Sequence, residues 1–225
     1  MPEEKDLLTP EEVEEIRDEF LECLELSSPS VRYYRKRFII VIGGAPGSGK
    51  TTAADKLATM AGTFHVQSNS ARELLREHHI EKWGKNVHRI IRAVVEDVVA
   101  REFSVMLNGM MLEEEERHII QELADKHKAI VSFSVMVCDP KLAEQRARKR
   151  YADNKPSSFE DWRCSPEKFE EYIASIYTQT EKVDELLSRI PANSNERIWQ
   201  IPNDATEGDM VGWLQPIWQD IAKGL

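Results

Sequence analysis

The chain has 225 residues, of which 40 are acidic and 30 are basic, so its formal charge at pH 7 is −10. A chain of this length can form one α/β domain with a sizeable core and a small appendage. Its acidic surface disfavours indiscriminate binding to nucleic acid or anionic membrane, although a local basic cleft could still hold a phosphate. No apolar run approaches the roughly 18 residues of a membrane span, and the N-terminal MPEEKDLL is too acidic for a secretory signal. We therefore expect a cytoplasmic protein with no membrane partner.

The first predicted element is an amphipathic helix within an N-terminal extension, residues 1–36. In LLTPEEVEEIRDEFLECLEL, Thr9 is the expected N-cap, Pro10 fits the first helical position, and Glu12 completes a capping box. The apolar stripe of this helix consists of Val13, Ile16, Phe20 and Leu24. We expect the helix to lie on the main domain. Its many carboxylates are most simply a solvated face, and docking of a protein partner is the alternative.

Strands and helices alternate in the main domain, residues 37–225. Strands are predicted at RFIIVIGG, TFHVQ, FSVMLNG, AIVSFSVMVCD and RIWQI. Helices are predicted at Lys50–Met60, Ser70–His78, Asn86–Arg101, Leu112–Lys126, Pro140–Tyr151, Pro166–Arg189 and Gly208–Ala222. This alternation predicts a parallel sheet covered by helices.

A phosphate-binding loop follows the first strand of this domain. GAPGSGKT, residues 44–51, satisfies G-x-x-x-x-G-K-[ST] between a strand and a helix, which is the context that the motif requires. Lys50 can reach the β- and γ-phosphates and the Thr51 hydroxyl can ligate Mg²⁺, so the expected cofactors are ATP or GTP with Mg²⁺. The expected nucleotide-binding residues are Gly44, Ala45, Pro46, Gly47, Ser48, Gly49, Lys50, Thr51 and Thr52.

An arginine-rich helix follows the fourth strand. Arg146 and Arg150 lie four residues apart on one face of it, with Arg148 between them. This arrangement resembles the nucleoside, nucleotide and polynucleotide kinase-like group of P-loop proteins (AAA_33-type), in which a DP step precedes a helix with paired arginines. The resemblance implies that the arginines belong to a lid, about residues 146–165, and stabilise charge in the transition state. It also makes Asp139 a helix-starting acid and not a magnesium ligand.

The resemblance extends over about residues 37–205 and is best to the polynucleotide-kinase-like group. That group has two adjacent aspartates followed closely by an arginine; the first aspartate accepts the proton of the acceptor hydroxyl, and the arginine helps to hold the substrate. In HVQSNSARELL these positions fall on Asn69, Ser70 and Arg72. In VMLNGMM the aspartate expected at the strand end falls on Asn108. Two acid positions have thus become amides, and an amide cannot take up a proton at neutral pH.

Positive charge also gathers around the start of the next helix, in Lys82, Lys85, His88, Arg89 and Arg92. The resemblance places this region at the border of the acceptor site, where it could receive an anionic acceptor or an oligonucleotide backbone; a solvated basic face is the alternative. Farther along, Phe159 and Trp162 beside Arg163 are candidates for stacking on a base or sugar. Asn203 or Ala205 is a candidate for contact with the adenine.

The resemblance implies a single P-loop α/β domain of the nucleoside-monophosphate-kinase type, with a five-stranded parallel sheet, helices on both faces and an arginine lid. The leading function is ATP-dependent phosphoryl transfer to a hydroxyl acceptor. The expected catalytic residues are Lys50, Asn69, Arg146 and Arg150, and the expected substrate-binding residues are Arg72 and Asn108. A 5′-hydroxyl of a nucleic acid or nucleoside is the first candidate acceptor; a small metabolite or sugar nucleotide, as in the zeta-toxin-like kinases, is the second. Because of the two amides, a catalytically weakened nucleotide-binding protein with a regulatory or structural role is the alternative.

Overall fold

The computed structural model describes residues 7–27, 30–80, 84–109, 113–153, 166–189, 198–202 and 207–224. Several of the residues singled out above lie outside these ranges. They are Lys82, the stacking candidates Phe159, Trp162 and Arg163 in the second half of the expected lid, and the adenine candidates Asn203 and Ala205. Within the described ranges, no helix has the length and apolar character needed to cross a bilayer.

Helices and strands alternate after the first helix, as predicted. The strands are β1 (Phe38–Gly44), β2 (Phe64–Gln67), β3 (Val105–Asn108), β4 (Ile130–Val137) and β5 (Ile198–Pro202). The helices are α1 (Pro10–Ser27), α2 (Lys50–Ala61), α3 (Ser68–Glu77), α4 (Gly84–Ala100), α5 (Glu114–His127), α6 (Pro140–Ala152), α7 (Pro166–Arg189) and α8 (Glu207–Gly224). The third helix was predicted to begin at Ser70 but begins at Ser68, directly after β2, so Asn69 lies in its first turn and not in a loop.

The strands form one sheet in the order β2-β3-β1-β4-β5, and all neighbouring strands are parallel. The central strand β1 lies between β3 and β4, so the chain order reverses beside it. Asn108, the last residue of β3, pairs with Ile42 on β1 and with Gln67 on β2. The carboxyl ends of these three strands therefore meet at one edge, which is where open parallel sheets bind ligands.

Helices cover both faces of the sheet because β1 buries side chains on both sides. Ile39 and Val41 belong to a core that includes apolar residues of α1, α3, α4 and α5. Phe38, Ile40 and Ile42 belong to a second core with residues of α2 and α8. The predicted parallel, helix-covered sheet is confirmed, and its two cores hold the central strand rigidly beneath the phosphate-binding loop.

The N-terminal helix α1 begins with the predicted capping box. The Thr9 N–H donates to Glu12 Oε2 at 2.7 Å, and the Glu12 N–H donates to Thr9 Oγ1 at 3.2 Å. Ile16 and Phe20 are buried in the first core, as the apolar stripe predicts. The Leu8 N–H also donates to Asn86 Oδ1 of α4 at 3.1 Å. The helix therefore completes the side of the core that includes α4.

Candidate nucleotide and acceptor site

The phosphate-binding loop, residues 44–51, connects the buried strand β1 to the N-terminus of α2. Gly47 has a φ of 74°, in the left-handed region that favours glycine. A Cβ atom at this position would also lie 2.8 Å from the carbonyl oxygen of Ala143 on α6. Glycine is thus required where the loop passes α6, and the loop directs the backbone N–H groups that begin α2 toward an anion site.

Lys50, the first residue of α2, is half-buried beside this loop. Its Nζ donates to the carbonyl oxygen of Ala45 at 2.8 Å. Burial, with a smaller contribution from the positive charge of Arg72, lowers the pKa of Lys50 to about 8. The ammonium is therefore held within the loop in a setting that a phosphate group would stabilise.

Thr51, the predicted metal ligand, contacts the end of β3. The Nδ2 of the buried Asn108 donates to Thr51 Oγ1 at 3.0 Å. Asn108 was predicted to bind substrate; the structure places it against Thr51, while its neighbours Leu107 and Gly109 line the adjoining cavity. The amide thus lies at the junction between the phosphate loop and that cavity.

The Thr51 hydroxyl suits Mg²⁺ only together with phosphate oxygens, because it is a hard but neutral ligand. Asn108 turns its Nδ2 and not its carboxamide oxygen to this hydroxyl, so it orients Thr51. In the part of the chain that the structure describes, no group of three or more His, Cys, Asp or Glu side chains could hold a metal ion. Thr51 therefore fits a Mg²⁺ ion that is bound together with a nucleotide, whose phosphates balance the charge, and does not fit a free ion.

Asn69 and Arg72 lie together on the first turns of α3. Arg72 Nη1 donates to Asn69 Oδ1 at 2.7 Å. The positive charge of Arg72 contributes to lowering the pKa values of both Lys50 and His88, so its guanidinium is within electrostatic range of the phosphate loop and of α4. The guanidinium that Asn69 holds can therefore act electrostatically on both elements.

The helix α6 begins as expected at Asp139, whose Oδ1 accepts hydrogen bonds from the N–H groups of Lys141 at 2.7 Å and Leu142 at 3.4 Å. The half-buried Arg146 donates to Cys138 Sγ at 3.5 Å, which places its guanidinium at the carboxyl end of β4. Arg150, one turn farther along, is exposed. Asp139 thus acts as a helix cap, and Arg146 lies at the ligand-binding edge of the sheet.

Arg148 has a different environment from the other two arginines. It donates to Glu144 Oε1 at 2.7 Å and to the two carboxylate oxygens of Glu170 at 2.8 and 3.0 Å. Its guanidinium also lies over the Phe169 ring, 5.6 Å from the centroid. Arg148 therefore joins α6 to α7.

A cavity of about 150 Å³ lies where α4 and α5 meet the carboxyl ends of β2 and β3. Its walls are mainly apolar, from Ile91, Leu107, Ile119 and Ile120. Its polar lining residues are Ser68, His88, Arg89, Arg92 and Glu116. Three residues of the predicted basic region, His88, Arg89 and Arg92, thus line this cavity, whereas Lys85 is exposed and does not. Sequence reasoning missed Ser68 and Glu116, because their neighbours in the cavity come from other elements.

A family model for an AAA domain (AAA_33) matches residues 39–169. The match begins in β1 and ends in the first turn of α7, so it includes the phosphate loop, the cavity and α6. A search of curated proteins found no match to this sequence.

The fold is also similar to solved structures of kinases. A protein from Chloroflexus aurantiacus assigned as a kinase has a TM-score of 0.55 at 14% identity, over 82% of this chain and 97% of that chain. A gluconokinase from Sinorhizobium meliloti 1021 has a TM-score of 0.52 at 14% identity, over 86% and 99%. A chain of the Pnkp1/Rnl/Hen1 RNA repair complex has a TM-score of 0.54 at 13% identity, over 70% and 47%. At these identities the similarity shows a P-loop kinase fold.

Proposed function

We propose, because the chain belongs to the AAA domain family (AAA_33) and has the fold of P-loop kinases, that it transfers the γ-phosphoryl group of ATP to a hydroxyl acceptor. The observation that carries this proposal is the continuity of the site. Asn108 contacts Thr51 of the phosphate loop, and its neighbours Leu107 and Gly109 line the cavity. A nucleotide in the loop and an acceptor in the cavity would therefore meet at the same edge of the sheet.

The residues of the loop and of α6 would act through charge and position. Lys50 would bind the β- and γ-phosphates, and Arg146 and Arg150 would stabilise charge on the moving phosphoryl group. A Mg²⁺ ion bound with the nucleotide at Thr51, whose hydroxyl Asn108 orients, would neutralise phosphate charge. Because the transition state of phosphoryl transfer is loose, such positioning and electrostatic effects supply most of the catalysis.

The acceptor hydroxyl would be held by α3 and the cavity. The Arg72–Asn69 pair provides a fixed hydrogen-bonding unit at the start of α3. A 5′-hydroxyl of a nucleic acid or nucleoside is the first proposed acceptor, and a small metabolite or sugar nucleotide is the second. The volume of the cavity, about 150 Å³, suits a single sugar-sized group, whether free or at the end of an oligonucleotide. The proposed compartment is the cytoplasm, where ATP is abundant.

A second candidate function follows from the two amides. Asn69 and Asn108 occupy positions where the related kinases have acids, and loss of a general base typically slows proton transfer 10²–10⁴-fold. The protein would then bind Mg²⁺–ATP as a structural or regulatory ligand, and the exposed acidic face of α1 would be a candidate surface for a protein partner.

Transfer of labelled γ-phosphate separates these two functions. Wild type is compared with Lys50→Ala and, as a surface control, Lys223→Ala, with 5′-hydroxyl RNA and DNA, nucleosides, sugar nucleotides and gluconate as acceptors. The kinase function would be supported if wild type and Lys223→Ala label one class of acceptor and Lys50→Ala labels none. ATP binding by calorimetry without transfer above the Lys50→Ala level would reject the kinase in favour of the nucleotide-binding protein.

A further inference from the structure

A histidine and a glutamate from different helices meet at the wall of the cavity, where the His88 side chain is 43% exposed and the Glu116 side chain 12% exposed. His88 lies on α4 and Glu116 in the first turn of α5, and His88 Nδ1 is 3.3 Å from Glu116 Oε1. The same cavity is lined by Ser68 and Gly109, which adjoin the two amides at the strand ends. A titratable pair thus lines the same cavity as the sequence neighbours of Asn69 and Asn108, where the resemblance leads us to expect acids.

We propose that His88, oriented by Glu116, accepts the proton of the acceptor hydroxyl during phosphoryl transfer. This inference rests on the proposed kinase function and assigns the step that Asn69 cannot perform. An amide can orient a hydroxyl, whereas a neutral imidazole can also take up its proton.

The contact with Glu116 selects the nitrogen that acts. A carboxylate beside Nδ1 favours the tautomer with its proton on Nδ1, which leaves the lone pair on Nε2. The acceptor oxygen bonds to the γ-phosphorus while the bond from that phosphorus to the β,γ-bridging oxygen breaks. The electron pair of the broken bond leaves with ADP, and the hydroxyl proton passes to His88 Nε2. The same arrangement of a carboxylate, an imidazole and a hydroxyl operates in other transfer enzymes.

The surroundings favour a neutral imidazole. Partial burial of the His88 side chain, which keeps 43% of its surface exposed, and to a lesser degree the positive charge of Arg72 lower the pKa of His88 below its ordinary value. Burial raises the pKa of Glu116. The charged groups around the pair are Arg72 on α3, Arg89 and Arg92 on α4, Glu113 and Arg117 on α5, and Lys182 on α7. At neutral pH His88 is therefore expected to be a competent base, and activity is expected to fall on the acidic side as it becomes protonated.

The test is the pH profile of γ-phosphate transfer, both to the acceptor that wild type uses and to water. We expect His88→Asn and His88→Gln to lower kcat about 10²-fold and to remove the acid limb, with little change in the KM for ATP. Glu116→Gln should cause a smaller loss. His118→Asn, an exposed histidine beside Glu122 on α5, is the matched control and should behave as wild type. Adding Asn69→Asp to His88→Asn should restore at least about tenfold of the lost rate.

Three results would overturn the inference. The first is an unchanged rate and acid limb in folded His88 variants that bind ATP normally. The second is a larger loss in Glu116→Gln than in His88→Asn, because the proton would then pass to the carboxylate. The third needs no turnover: an NMR titration that shows the wild-type His88 imidazole protonated throughout the neutral range. If wild type transfers phosphate but any of these three results is found, the proposed role of His88 is wrong and the kinase function stands. If wild type binds ATP but transfers no phosphate, both proposals are wrong.

Discussion

The charge of Lys50 depends strongly on its surroundings. Its ammonium is held by the Ala45 carbonyl oxygen, and burial together with Arg72 lowers its pKa from 10.5 to about 8. The unfolded chain therefore holds more protons than the folded protein between about pH 8 and pH 10.5, and stability of the free protein should rise with pH across that window. A nucleotide has the opposite effect, because its phosphates favour the charged lysine.

The first prediction is that ATP binding weakens as the pH rises above about 8. The phosphates bind the protonated ammonium, which the free protein loses near that pH, so affinity should fall by up to about tenfold per pH unit. Calorimetric titration with Mg²⁺ and a non-hydrolysable ATP analogue, from about pH 6.5 to about pH 9.5, measures this. Lys50→Met should bind more weakly but with a flat profile. A wild-type affinity that is constant across the range would contradict the assignment.

Residues of the site differ in how far the sequence predicts them. The phosphate loop is a contiguous pattern, so Lys50 and Thr51 can be assigned from spacing alone. The role of Asn108 is harder to predict, since its contact with Thr51 depends on how β3 pairs with β1. The approach of His88 to Glu116 depends on the packing of two helices, and no local pattern encodes that contact.

At the scale of elements, two arginines of α6 have different partners. Arg146 lies at the carboxyl end of β4 beside Cys138, whereas Arg148 is bonded to Glu144 and Glu170. Sequence reasoning grouped the arginines by their spacing. Their different partners could not be predicted from spacing, because the contact of Arg148 with Glu170 exists only where α7 packs against α6.

The second prediction compares these two arginines. Arg146→Ala should lower the rate of phosphoryl transfer about 10²-fold with a smaller effect on ATP affinity, because it removes a charge that acts mainly in the transition state. Arg148→Ala should leave the rate of transfer close to that of wild type, since the Arg148 guanidinium is hydrogen-bonded to the carboxylates of Glu144 and Glu170. Single-turnover kinetics with labelled ATP separates transfer from binding. Similar losses of rate in the two variants would show that α6 acts as a whole and not through Arg146.

The third prediction concerns the cap of α1. Thr9→Ala removes the side-chain acceptor of the Glu12 N–H and should destabilise the protein by about 1 kcal/mol. The effect should appear in global unfolding by urea, because Ile16 and Phe20 of α1 are part of the first core. Glu15→Ala, which changes an exposed residue of the same helix, is the control, and its free energy of unfolding should stay within about 0.5 kcal/mol of wild type. Loss of helix signal before the main transition would instead indicate that α1 unfolds separately.

At the scale of the molecule, the alternation of apolar strands and helices was enough to predict a parallel sheet with helices on both faces. The predicted start of α3 was two residues too late, because Ser and Asn favour helix caps and turns when they are considered without their tertiary surroundings. In the protein, α3 follows directly from Gln67, whose strand partner is Asn108. The cavity could not be predicted in detail, since its walls come from elements far apart in the chain and exist only after they pack.

The phosphate loop lies where both cores meet the central strand, so a bound nucleotide should stabilise the whole molecule. The fourth prediction is that Mg²⁺–ATP at about 100 times its Kd adds about 2.7 kcal/mol and raises the midpoint of thermal unfolding by about 5–10 °C. The midpoint is measured by following the helical circular dichroism signal as the protein is heated. ATP with excess EDTA should give a smaller shift, because without Mg²⁺ part of the phosphate charge stays unbalanced beside the neutral Thr51 hydroxyl. If ATP raises the midpoint of Lys50→Ala as much as that of wild type, ATP binds elsewhere. If the shift disappears in Lys50→Ala, nucleotide bound at this loop stabilises the fold that both cores share.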